Sequence, residues 1–148
     1  MTGVEIMIGV ATCIATIFGG YATWRTASIA RTQKELAQRQ AIFQLWDRIA
    51  GLQPIDPADP ASMYVHNALS TMELIALCCE GGMVDAEVIK RTFAARYVEL
   101  YDMVKLCGPI RNMQGKNGTE LLQQNPAAMN FYDELMDEKK RKNALRRV

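Results

Sequence analysis

The chain has 148 residues, about the length of one domain, and 49% of them are hydrophobic and 22% charged. This composition excludes a disordered chain, a collagen-like chain and a polytopic membrane protein. Lys and Arg number 17 against 16 Asp and Glu, so the net charge is only +1 and we expect no nucleic-acid partner. The chain has four cysteines, without a CxxC pair, and one histidine, which are few residues from which to form a metal site. We therefore predict no metal and no cofactor.

The first notable segment runs from Ile6 to Trp24 and carries no charge. As a helix it would measure roughly 28 Å, close to the ~30 Å hydrocarbon core of a bilayer. A cleaved signal peptide and a buried core helix are the alternatives. A signal peptide begins with a positively charged n-region, whereas the charged residue before this apolar segment is the acidic Glu5. A buried core helix seldom has as many consecutive residues without a charge. We therefore predict a transmembrane helix.

The flanking charges predict the orientation of this helix. No Lys or Arg precedes the span, whereas four basic residues follow it closely. The positive-inside rule then places the N-terminus outside and the C-terminal domain in the cytoplasm, with membrane lipid as a partner. The four residues are Arg25, Arg31, Lys34 and Arg39.

Small residues recur within the predicted span. Thr12, Thr16 and Gly20 lie four apart and therefore share one helical face. Such rows let helix backbones approach closely in lipid. We take these three residues as candidates for self-association or for contact with a membrane protein partner. The alternative is that small residues are simply common in a weakly hydrophobic span.

The rest of the chain is predicted to be helical. No Gly or Pro interrupts residues 21–50, so the first helix can continue, and Ile29, Leu36, Phe43 and Ala50 recur every seven residues along it. Prolines make residues 51–60 a loop. A helix from about Pro60 to Glu80 follows. It carries an apolar stripe at helical spacing, made of Val65, Ala68, Leu69, Met72, Ile75, Ala76 and Cys79.

Asp85 is a suitable N-cap for a third helix, Ala86 to Cys107. Residues 110–118 are predicted to be a loop and residues 119–122 a short helical turn. Asn125-Pro126 is predicted to cap the last helix. The buried face of the third helix is predicted to contain Ile89, Phe93, Tyr97, Leu100, Val104 and Cys107.

These elements predict an all-α fold: one N-terminal transmembrane helix continued into a small cytoplasmic helical bundle. We divide it into a membrane anchor (1–25), a juxtamembrane helix (26–50) and a helical bundle with a basic C-terminal tail (51–148). The tail contains Lys139, Lys140, Arg141 and Lys142, which are candidates for contact with anionic lipid or an acidic partner. The alternative for the tail is a solvated helix end.

No pattern in the chain indicates catalysis. Cys78 and Cys79 are adjacent, and Cys79 and Cys107 continue apolar stripes, as small hydrophobic side chains do. No Ser or Cys motif marks a nucleophile that His66 could activate. The segment 115–119 lacks both the first glycine and the hydroxyl residue of a phosphate loop. We predict no catalytic residue and no enzyme.

Several short segments together resemble a known family. The chain is similar to the domain of unknown function 4760 family of small single-span bacterial membrane proteins. The resemblance implies an anchored α-helical domain with no assigned activity, in the inner (plasma) membrane of a bacterium, and it assigns no functional residue. It rests on Phe43-Gln-Leu-Trp46-Asp, Leu69-Ser-Thr-Met-Glu73-Leu-Ile-Ala76, Glu80-Gly-Gly-Met-Val-Asp85, the stretch from Phe93 to Tyr101, and the Asn125-Pro126 helix.

The sequence thus predicts a membrane-anchored helical module for protein–protein interaction without catalytic activity. The alternative is an accessory or regulatory subunit of a larger membrane complex, including a role in phage exclusion or stress.

Overall fold

The computed structural model describes the backbone of residues 3–145 and the side chains of residues 23–145. Over this range the chain forms helices and no strand, so the all-α prediction is confirmed. The helices are α1 (Gly3–Ala50), α2 (Ser62–Glu80), α3 (Ala86–Leu106), α4 (Gly118–Gln123) and α5 (Pro126–Leu145).

The structure corrects the predicted localisation. Within residues 23–145, no helix is long and apolar enough to cross a membrane, so the prediction of a single-pass inner-membrane protein is wrong. In α1 the physical reason is charge, since a charged side chain in the bilayer centre costs about 2.5–3.5 kcal/mol. The described part of α1 carries Arg25, Arg31, Lys34, Glu35, Arg39, Asp47 and Arg48.

The predicted span itself, Ile6 to Trp24, lies outside the residues whose side chains are described, except for its last two positions. Thr12, Thr16 and Gly20, predicted to mediate helix association, also lie outside them.

The chain divides into two units, Met1–Ala37 and Gln38–Val148. In the first unit the described side chains are exposed, among them Ile29 and Leu36. The second unit contains the end of α1 and all of α2 to α5. The predicted boundaries at residues 25 and 50 stay a prediction.

The core of the second unit is made by the helical stripes of α2 and α3. The predicted stripe of α2 is buried from Val65 to Ala76, whereas Cys79 is half-buried and its neighbour Cys78 takes the buried position. The predicted face of α3 is confirmed, and Asp85 caps α3 by accepting a hydrogen bond from the Glu87 amide at 2.9 Å. The buried residues of α3 and its C-cap are Ile89, Phe93, Tyr97, Leu100, Tyr101, Val104 and Cys107.

One predicted helix start and one predicted helix cap differ from the structure. The second helix begins at Ser62, two residues later than predicted, and its N-cap Ala61 offers no side-chain acceptor. Asn125 precedes α5, but its side-chain Nδ2 donates backwards to the Leu121 carbonyl at 2.8 Å and caps nothing in α5. The α5 N-terminus is instead capped by Glu73 of α2, which accepts a hydrogen bond from the Ala128 amide at 2.8 Å. A carboxylate at this end of a helix also complements the helix dipole.

Tyr97 joins three helices at the centre of the core. Its hydroxyl lies 3.2 Å from the Met72 carbonyl oxygen of α2 and 3.0 Å from the Ala128 carbonyl oxygen of α5. The ring meets Phe131 edge-on, with centroids 5.1 Å apart. Burial raises the pKa of Tyr97, so the hydroxyl stays protonated and able to donate.

Replacing Tyr97 with Phe removes the donor between two buried carbonyls. We expect Tyr97→Phe to lower the free energy of unfolding by about 1–2 kcal/mol, measured by urea denaturation followed by circular dichroism. Tyr132→Phe is the matched control, because that hydroxyl donates to Asp102 at an exposed site and its loss should cost about 0.5 kcal/mol or less. Equal losses in both variants would contradict the central role of Tyr97.

Gly118 allows the start of α4 to lie directly against the end of α3. Its amide donates to the Cys107 carbonyl at 3.0 Å, and a β-carbon on Gly118 would lie 1.7 Å from the Val104 carbonyl oxygen. Because that atom belongs to the backbone, it cannot move aside without displacing the helix.

We therefore expect Gly118→Ala to destabilise the second unit by about 2–3 kcal/mol in urea denaturation. Gly108→Ala is the control, since a β-carbon there meets no atom within 4 Å, and we expect a change below about 0.5 kcal/mol. A Gly118→Ala protein as stable as the wild type would show that α4 does not pack as described.

Candidate binding groove

A groove of about 460 Å³ runs between α3 and α5 on the surface of the second unit. It forms because α3 presents small side chains on this side. Ala94, Ala95 and Val98 leave room beside α5, and the buried Leu135 completes an apolar floor. An apolar floor bounded by charged side chains is the arrangement found in sites that bind organic ligands or apolar side chains of a partner.

Lys90 lies at one end of the groove and connects its two walls. Its ammonium is 2.6 Å from Glu134 of α5, 3.6 Å from Glu87 of α3 and 4.0 Å from Glu138 of α5. Only 13% of the Lys90 side chain is exposed. The hydrogen bond to Glu134 raises the pKa of Lys90, while burial opposes that rise. Lys90 is therefore charged at neutral pH and holds α5 against α3.

The rim of the groove is predominantly basic. Four cations and two carboxylates line it, so the lining carries a net charge of +2. Both carboxylates, Glu87 and Glu138, contact Lys90, and Glu138 also pairs with Lys142, which lowers the pKa of Glu138. Two cations, Arg91 and Lys139, have no ion-pair partner within the described part of the chain. The lining therefore favours an anionic ligand.

The structure separates the four predicted residues of the basic tail. Lys139 and Lys142 line the groove, whereas Lys140 pairs with Asp137 at 3.0 Å and Arg141 is exposed outside the groove lining. The basic charge of residues 139–142 is evident from the sequence, but the position of α3 opposite them is not. Lys90 and Glu134 are 44 residues apart, so no local pattern reveals their contact. The small residues at 94, 95 and 98 were the available signal.

The three described cysteines are free thiols in largely apolar surroundings. Burial raises the pKa of Cys78 and Cys107, and burial followed by the neighbouring Cys78 raises that of Cys79 to about 11. These thiols therefore stay protonated at neutral pH and are weak nucleophiles. His66 is exposed. Within residues 23–145, no group of three or more His, Cys, Asp or Glu is arranged to hold a metal ion.

Comparison with known proteins gives no match: no family model, no curated protein and no solved structure matches this chain. The resemblance to the domain of unknown function 4760 family stays a prediction.

Removal of the Lys90 charge tests how the groove is held together. Lys90→Met leaves three carboxylates facing one another, and we expect a loss of about 1 kcal/mol in unfolding free energy at pH 7, since the carboxylates are partly solvated. The folded-state pKa of Lys90 lies above its ordinary value of 10.5. Its contribution is therefore complete below pH 10.5 and is lost as pH rises through the higher folded-state value.

The measurement is urea denaturation of both proteins at several pH values. The difference between wild type and Lys90→Met should narrow as pH rises above 10.5. Lys105→Met, at an exposed cation outside the groove, should change stability little at any pH. A Lys90→Met difference that does not vary with pH would mean that lost packing, and not charge, explains the effect.

Proposed function

We propose that the protein is a helical module for protein–protein interaction, and that the groove between α3 and α5 binds an acidic, amphipathic helix of a partner. The observation that carries this proposal is the combination of an apolar floor with a basic rim. Ala94, Ala95, Val98 and Leu135 offer contacts to apolar side chains, while Arg91 and Lys139 offer unpaired cations to carboxylates.

The length of the groove favours a helix as the ligand. On α3 its lining extends from Glu87 to Val98, a rise of about 17 Å, which matches roughly three helical turns. A helix laid into a groove presents apolar side chains at positions i, i+4 and i+7. Small floor residues allow such a helix to approach closely, and acidic side chains on its flanks would meet the rim.

The proposal assigns binding and no catalytic step to this surface. The described cysteines and His66 are not among the residues that line it. Lys90, the most buried cation of the groove, forms an ion pair with Glu134 and therefore holds α3 and α5 together.

A pair of designed peptides tests the proposal. Both carry Leu at i, i+4 and i+7; one has Glu on the flanks and the other has Lys. We expect the acidic peptide to bind the full-length protein and to shift the amide resonances of Ala94, Ala95 and Val98, and the basic peptide to bind at least tenfold more weakly. The affinity of the acidic peptide should fall with added salt.

Charge reversal gives the matched control for this experiment. Arg91→Glu combined with Lys139→Glu should weaken binding of the acidic peptide at least tenfold. Lys105→Glu combined with Arg111→Glu makes the same change in net charge away from the groove and should alter binding less than twofold. Equal losses in the two double variants would show binding to net charge alone and would contradict the groove as the site.

A further inference from the structure

Asn117 and Gly118 form the one Asn-Gly pair in the sequence. In such a pair the backbone nitrogen of the glycine can attack the side-chain carbonyl carbon of the asparagine, because glycine has no β-carbon to hinder the approach. The attack closes a succinimide ring, and the side-chain nitrogen leaves as ammonia with the proton of the glycine N–H. Water then opens the ring at either carbonyl, which gives aspartate or isoaspartate. The reaction needs only water, so the structure around this peptide bond decides how fast it occurs.

Both reacting groups are engaged in hydrogen bonds in the folded chain. The amide of the buried Gly118 donates to the Cys107 carbonyl at 3.0 Å. The Asn117 side-chain carbonyl accepts from the Glu120 amide at 2.9 Å, and the Glu120 carboxylate accepts from the Asn117 amide at 2.9 Å. These last two contacts form a capping box. The attacking nitrogen and the carbonyl under attack are therefore fixed by separate partners.

The backbone conformation of Asn117 also opposes ring closure. A five-membered ring requires the Gly118 nitrogen and the Asn117 β-carbon to lie nearly eclipsed across the Cα–C bond. With a ψ angle of 168°, the two atoms are staggered instead. Rotation of ψ would break the hydrogen bond to Cys107 and move Gly118 from its close position against the Val104 carbonyl. The reaction therefore requires that the start of α4 first separate from α3.

The loop that leads to Asn117 is strained. Asn112, Gln114 and Gly115 have left-handed φ angles of 65°, 56° and 72°. Glycine adopts such angles freely, whereas they cost energy in asparagine and more in glutamine. Opening of the loop releases this cost, and local unfolding occurs where the native conformation is least favourable. We therefore expect this loop and the adjoining start of α4 to open without unfolding of the core.

We propose that Asn117 is a site of spontaneous deamidation that the capping box keeps closed, and that opening of the loop between α3 and α4 converts it irreversibly. Isoaspartate has one additional backbone carbon, which displaces Gly118. Gly118 has no room to move, because even a β-carbon on it would collide with the Val104 carbonyl oxygen. The modified chain cannot restore this contact, so Leu121 and Leu122 leave the core and α4 detaches from α3.

Deamidation of the full chain, followed by peptide mapping and mass spectrometry, tests this inference. We expect Asn117 to react at least tenfold more slowly in the native protein than in guanidinium chloride, where the loop is open. Glu120→Ala removes one half of the capping box and should raise the native rate about threefold to tenfold. Glu120→Gln keeps a hydrogen-bond acceptor and should stay within about twofold of the wild-type rate.

Three controls separate the capping box from other effects. In guanidinium chloride all variants should react at the same rate, since the Asn-Gly pair is unchanged. Gln123→Ala, an exposed change in α4 outside the box, should leave the native rate unchanged. Hydrogen exchange of the Gly118 amide should rise in Glu120→Ala by a factor similar to that of deamidation, because both processes require loss of the hydrogen bond to Cys107.

Three results would each overturn the proposal. A native rate equal to the rate in guanidinium chloride would show that the fold does not protect Asn117. A Glu120→Ala rate equal to that of the wild type would show that the capping box does not control the reaction. Faster deamidation in Glu120→Ala without faster exchange at Gly118 would show that the reaction does not require separation of α4 from α3.

Discussion

Ala128 is the residue on which the arrangement of the second unit depends. It is fully buried, and both of its backbone polar groups are bound by side chains of other helices. Glu73 of α2 accepts from its amide at 2.8 Å, and Tyr97 of α3 donates to its carbonyl at 3.0 Å. The Ala128 amide lies in the first turn of α5 and has no partner within that helix, so without Glu73 it would be buried and unsatisfied at a cost of about 1–3 kcal/mol. The Tyr97 hydroxyl adds a second contact, and together they favour one position of α5 along α2 and α3.

The groove follows from that constraint. With the start of α5 fixed, Glu134 comes opposite Lys90 of α3, and their contact closes the two helices around the small residues of the floor. The cations of the last turns then lie along the rim. A binding surface supported by two rigid helices requires little ordering when a partner arrives, which favours affinity. The shape of the candidate site thus depends on the contacts in the core that position α5.

Local features of this fold follow from the sequence, whereas contacts between distant residues do not. The spacing of apolar residues predicted α2 and α3, because that spacing is a local property of a helix. The N-cap Asp85 was also predictable, because an N-cap bonds to amides within three residues of it. The Glu73 cap and the Lys90 contact join residues 55 and 44 positions apart, which no helical period encodes. The membrane prediction rested on the uncharged segment 6–24, whereas none of the helices within residues 23–145 is long and apolar enough to cross a bilayer.

We expect the α3–α5 groove to receive an acidic helix of a partner. The most direct test places a photo-crosslinking amino acid at Ala95 in the full chain in cells and sequences the crosslinked peptides. The account predicts one predominant partner segment, acidic and with apolar residues at helical spacing, whose crosslink disappears when Arg91 and Lys139 are changed to Glu. Crosslinks to unrelated sequences, or crosslinks that persist in that variant, would contradict it.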